Sequence, residues 1–183
     1  MGIGMRLSAG GVTVFLKNLA VIRSEATGAR SYVVDTSDLV MGKPEDTFFF
    51  YMVGKCWAVV IDMKDETEGE LRVAYHLPGI IVNKDRNLGE LVKVLKDGGQ
   101  VRRLTVFYNS KLNQDKPEEV MKDVLPNGPT IRFVDMNELD GSGCHDLLVT
   151  QSEATQYYNR GLFDEETKTP RIERLYSGGW KME

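Results

Sequence analysis

Shortages narrow the field first. Only two of the 183 residues are cysteine, Cys56 and Cys144. Two thiols are too few for a disulfide framework and cannot by themselves build a structural zinc site. Histidine also occurs only twice, at His76 and His145, so a site needing several imidazoles is excluded. No apolar run approaches the ~20 residues that span a bilayer. The N-terminal stretch is only superficially signal-like, because Lys17 and Arg23 interrupt it before any apolar core forms. A cytoplasmic or virion location is expected, neither secreted nor membrane-bound. Basic surplus is missing as well: 27 acidic residues against 23 basic ones leave a net charge of −4. That balance argues against general nucleic-acid binding, which rests on neutralising phosphates.

What is present is an ordinary globular composition, 42% apolar and 27% charged, which excludes global disorder. The length suits one domain, residues 1–183. Its organising stretch is TFFFYMVGKCWAVVIDMKDETEGELRVAYH, residues 47–76. Two apolar runs, 47–53 and 56–63, meet at Gly54-Lys55 and predict a core hairpin. A third run, 71–75, follows a polar tip. Aromatic and β-branched residues dominate, as a pleated, packed surface favours. The acidic tip, with Asp65, Glu66, Glu68 and Glu70, lacks the alternating pattern and central glycine of a calcium loop.

Before this stretch lies a glycine-rich arm, residues 1–11. It lacks the strand-before, helix-after context of a phosphate-cradling loop. Short strands are predicted over 12–16, 19–23 and 31–35. After residue 79 the pattern changes to strand–helix–strand–helix–strand. Asn87-Leu-Gly-Glu90 and Asp115-Lys-Pro-Glu118 have capping-box spacing. Leu88, Leu91, Val92 and Leu95 then make one helical face, and Val120, Met121, Val124 and Leu125 another. Residues 101–108 and 130–136 read as strands. Such crossovers are long enough to join parallel strands, and strands this short fit an antiparallel sheet as well. Beyond them, 145–160 predicts a third helix, 171–176 a closing strand, and Ser177-Gly-Gly-Trp180 a mobile, anchored end.

These elements predict an α+β fold: an antiparallel β-meander or hairpin N-terminal half packed with a strand–helix–strand–helix–strand segment in a mixed sheet. The divisions are the arm 1–11, a mostly β region 12–78, alternating β/α over 79–136, and a helix with a strand or arm over 137–183.

Chemistry has few places to sit. Ligands of parallel sheets lie beyond the carboxyl ends of strands, which brings forward Asn83, Asn109 and Asp135 for a metal- or nucleotide-dependent enzyme. The same residue types are ordinary caps and turns. Cys144 follows glycines and precedes His145; a thiol there could gain nucleophilicity from backbone N–H groups or from His76, and a plain turn explains it equally. Asp35, Asp62 and Asp135 each end an apolar run, as magnesium ligands or as strand terminators. Arg102 and Arg103 beside Phe107 and Tyr108 could form a single-strand nucleic-acid platform. No catalytic residue, metal or cofactor is assigned. The expectation is a non-enzymatic structural or interaction protein. Its partners are other protein subunits, in a homo-oligomer or a larger assembly such as a phage or virus particle.

Overall fold

The computed structural model describes residues 30–79, 84–113, 116–138, 145–164 and 166–182. The arm 1–11, the strands predicted over 12–23, the apolar run 80–82, Asn83 and Cys144 lie outside them.

Among the described residues ten strands form two five-stranded mixed sheets. In chain order the strands are β1 (Ser31–Val34), β2 (Leu39–Gly42), β3 (Thr47–Val53), β4 (Trp57–Asp65) and β5 (Gly69–Leu77). Then come α1 (Lys84–Asp97), β6 (Gln100–Tyr108), α2 (Pro117–Val124), β7 (Ile131–Asp135), β8 (His145–Val149), β9 (Glu153–Asp164) and β10 (Thr169–Lys181). One sheet has the order β1-β3-β8-β9-β10, the other β2-β5-β4-β6-β7. The expected α+β class holds.

Strand alternation explains the layers. On β4, Ala58 and Val60 face one way with Ala74 and Phe107, and meet Phe48, Phe50, Leu147 and Val149 of the first sheet. Trp57, Val59, Ile61 and Met63 face the other way and meet Leu88 and Leu91 of α1 and Val120 and Met121 of α2. The second sheet is thus buried on both faces, which is why its strands read as continuous apolar runs. The order is sheet, sheet, helices. Among the described residues no helix is long and apolar enough to cross a membrane.

Of the two expected crossovers, the one between β6 and β7 joins parallel strands, whereas the other begins at the run 80–82, outside the described residues. β5 and β6 both run antiparallel to β4, and β7 runs parallel to β6. So β5, β6 and β7 share a direction, with a helix between each pair. Their carboxyl ends lie at one end of the sandwich. Gly99, between α1 and β6, shows how tight this packing is: its φ is +94°, and a Cβ there would collide with the Lys64 carbonyl oxygen.

Four expectations are corrected. The apolar runs 47–53 and 56–63 do not form a hairpin: β3 belongs to one sheet and β4 to the other, so the chain arches between layers. Residues 145–160 are not helical but form β8 and the start of β9, because Leu147 and Leu148 fill opposite faces of a buried strand. Asn87 does not cap α1, which begins three residues earlier at Lys84; at α2 the cap position is Lys116, without a side-chain hydrogen bond. The end 177–181 is no hinge. It continues β10 past a bulge at Ser177, and the Trp180 ring lies 5.8 Å from that of Phe107.

Candidate functional site

The carboxyl ends of β6 and β7 meet in a compact polar mouth. Asn109, fully buried, organises the first loop. Its carbonyl accepts from the Leu112 and Asn113 N–H groups and from Asn113 Nδ2, at 3.2, 3.0 and 3.0 Å. Its Oδ1 accepts from the Lys111 N–H at 3.0 Å. Asp135 organises the second. One carboxylate oxygen, Oδ1, accepts from the Ser110 N–H at 3.1 Å and the Asn137 N–H at 3.0 Å. A single oxygen therefore staples the two loops together. Asn137 Nδ2 stands 3.4 Å from Ser110 Oγ, while Asn137 Oδ1 is buried without a hydrogen-bond partner among the described residues. Asn113 Nδ2 also reaches the Gly54 carbonyl at 3.5 Å. This contact ties the mouth to the β3–β4 arch.

Two of the sequence-derived candidates, Asn109 and Asp135, are thus brought together. His145 lies at the same end but inside the sandwich. It starts β8 opposite Val53, is fully buried, and its Nδ1 stands 2.9 Å from Gln156 Nε2. Asn83 and Cys144 fall outside the described residues, so neither can be placed against this group. Ser110 and Asn137 belong to the polar strand-end runs 109–111 and 135–137 that the sequence offers, whereas Asn113 lies beyond them. Their signal was the run of short polar residues after each strand, the same signal that any turn gives.

The strand-ending aspartates do not converge. β4 runs against β6 and β7, which carries Asp62 toward the opposite end: its β6 neighbour is Arg103, whereas Asp135 sits beside Tyr108. Those two positions on β6 are about 16 Å apart at 3.3 Å per residue. Asp62 is instead the centre of a buried ion network. Arg72, 1% exposed, grips it with two nitrogens, Nε–Oδ1 at 2.6 Å and Nη2–Oδ2 at 3.0 Å. Arg103 Nε approaches Oδ2 at 3.1 Å. Arg72 Nη1 then donates to the Thr150 carbonyl at 2.6 Å, in the loop after β8. The network welds one sheet to the other. Among the described residues no group of three or more histidine, cysteine or acidic side chains is placed to hold a metal ion.

The arginine–aromatic pairing of β6 is similarly engaged. Asp62 pairs with Arg103 and Met63 with Val101, so Arg102 is the extra residue of a β-bulge. Arg102 meets Glu70 at 2.9 Å with both side chains about half exposed, and Tyr108 donates to Glu118 at 3.1 Å. Each candidate for phosphate or base contact has a carboxylate beside it.

No family model matches the chain, and a search of characterised proteins finds no match. The functional reading rests on the chain alone.

Proposed function

We propose that the protein works through its surfaces rather than through a reaction, as a self-associating interaction protein or a subunit of a larger assembly. The observation that carries this reading is β10. It is 13 residues long and forms the edge of its sheet. β9 residues beyond Tyr158 have left β8 behind, so residues 159–164 and 169–174 pair only with each other among the described strands. A two-stranded ribbon is marginal in water on its own, and an edge strand offers unpaired backbone groups to a further chain. Leu175 and Tyr176, 40% and 67% exposed, flank it with apolar surface. Pro170 removes one donor, which favours pairing on the stretch that follows it.

Light scattering on the purified protein tests this. An oligomer is expected, and the double substitution Leu175→Lys, Tyr176→Lys should shift it toward monomer at least tenfold in dissociation constant. A strict monomer at every concentration overturns the reading. Deleting residues 1–10 separately tests whether the glycine-rich arm contributes.

The mouth at Asn109 and Asp135 supports a second reading, a small-molecule or metal-dependent site at the strand ends. The buried acceptor Asn137 Oδ1 favours it. Mass spectrometry of the native protein should then find a bound nucleotide or metal, and Asp135→Asn, which keeps the acceptor and removes the charge, should lose it.

A further inference from the structure

The chain leaves the first sheet for the second at the turn Asp35-Thr36-Ser37-Asp38. The turn is locally closed. Asp38 N–H donates to the Asp35 carbonyl at 2.9 Å, Asp35 N–H to Asp38 Oδ2 at 3.2 Å, and Thr36 N–H to Asp35 Oδ1 at 2.7 Å. Three further bonds fasten this corner to one residue of β5. Ser37 N–H donates to the His76 carbonyl at 2.9 Å, and His76 N–H donates to the Asp38 carbonyl at 3.0 Å. His76 Nδ1 lies 3.1 Å from the Val34 carbonyl. A carbonyl can only accept, so Nδ1 carries the proton and Nε2 is the bare nitrogen of a neutral ring.

That bare nitrogen is in an unusual place. His76 is fully buried in the layer between the sheets, and Nε2 has no hydrogen-bond partner among the described residues. The Phe50 ring stands edge-on at 6.0 Å, and the β4 neighbour is Ala58. A proton taken up at Nε2 would make a buried N–H with no acceptor among the described residues, and a charge in an apolar layer.

We propose that His76 is an acid-sensitive latch on the β1–β2 corner: neutral, it clamps β1 against β5, and on protonation it lets the corner open. The opposing charges are all carboxylates. Asp35 and Asp38 in the corner and Asp146 on β8 each favour the charged ring, while β3 and β4 contribute Phe50 and Ala58. Asp146 Oδ1 is already engaged by the Met52 N–H at 2.8 Å. Desolvation outweighs these carboxylates and the Val34 bond, and holds the imidazole below its ordinary 6.5. The unfolded or opened chain therefore binds this proton more tightly than the closed one. Stabilisation from the latch is complete above about pH 6.5 and is lost as pH falls toward and through the folded value.

With only two histidines in the chain, the rings can be followed singly by NMR. His76 should hold the Nδ1–H tautomer at neutral pH and titrate below 6.5. Protection of the Ser37 and His76 amides from exchange, corrected for intrinsic rate, should fall by up to about tenfold per pH unit below about pH 6.5. In His76→Asn, Nδ2 can still donate to Val34 but cannot titrate, so this acid dependence should vanish. If His76 titrates at or above 6.5, or if the acid dependence persists in His76→Asn, the latch is refuted. Should that variant not fold, the wild-type ring titration decides alone.

Discussion

β4 is entered and left by two short connections that look alike in sequence and behave differently. Gly54-Lys55-Cys56 leads in from β3, and Glu66-Thr67-Glu68 leads out to β5. The second makes a hairpin: β4 and β5 pair in unbroken register from Trp57–Leu77 to Asp65–Gly69. It closes on local chemistry alone. Asp65 Oδ1 accepts from the Thr67 N–H, the Thr67 hydroxyl and the Glu68 N–H, at 2.8, 2.6 and 2.8 Å, and Gly69 has a φ of +77°. The first connection makes an arch. Between Phe50 and Val53 the register of β3 against β8 slips, so Tyr51 and Met52 together oppose Asp146. Met52 takes a φ of +56°, and its N–H is held by a buried carboxylate 94 residues away in sequence. A hairpin is written in its own turn. The arch is written in a strand that arrives much later.

Substitutions can break this contrast, beginning with the largest effect. Arg72→Ala, on the hairpin's outgoing strand, should destabilise by about 3–5 kcal/mol, because it strands Asp62 without its bidentate partner and cuts the link to the Thr150 carbonyl. Chemical denaturation reads this directly, and a loss under about 1 kcal/mol would mean that the network does not join the sheets. Asp146→Ala should cost about 1–3 kcal/mol by orphaning the Met52 N–H. Met52→Gly should do the reverse and stabilise by roughly 0.5–1 kcal/mol, since only the left-handed strain is relieved at a partly exposed position. Asp65→Ala should lower the melting temperature least of the three destabilising substitutions, although it removes the same kind of carboxylate-to-backbone bond as Asp146→Ala. If the Asp65 and Asp146 substitutions prove equal, long-range support is not what distinguishes the arch.

The contrast also explains what could be read from sequence. Where stabilising contacts are local, the reading succeeded: the β4–β5 tip and both helices. Where they are distant, it did not. Apolar runs on either side of Gly54-Lys55 fit a hairpin or an arch equally, because both strands are buried on both faces and neither shows alternation. Leu147, Leu148, Ala154, Tyr157 and Tyr158 mimicked a helical stripe for the same reason. At the candidate site, Asn109 and Asp135 were legible as strand-end residues. The oxygen that joins their loops depends on the parallel register of β6 and β7, and no local pattern records that.

The order of strands has a consequence for synthesis. One sheet draws only on residues 39–135 and can close while the chain is still being made. The other places β3 beside β8, so the edge of β3 along Phe48, Phe49 and Phe50 has no ladder partner until residues 145–149 leave the ribosome. At about 5–20 residues per second, that is a delay of several seconds with an aromatic strand edge unpaired. A chaperone that recognises extended aromatic segments would have its opening there.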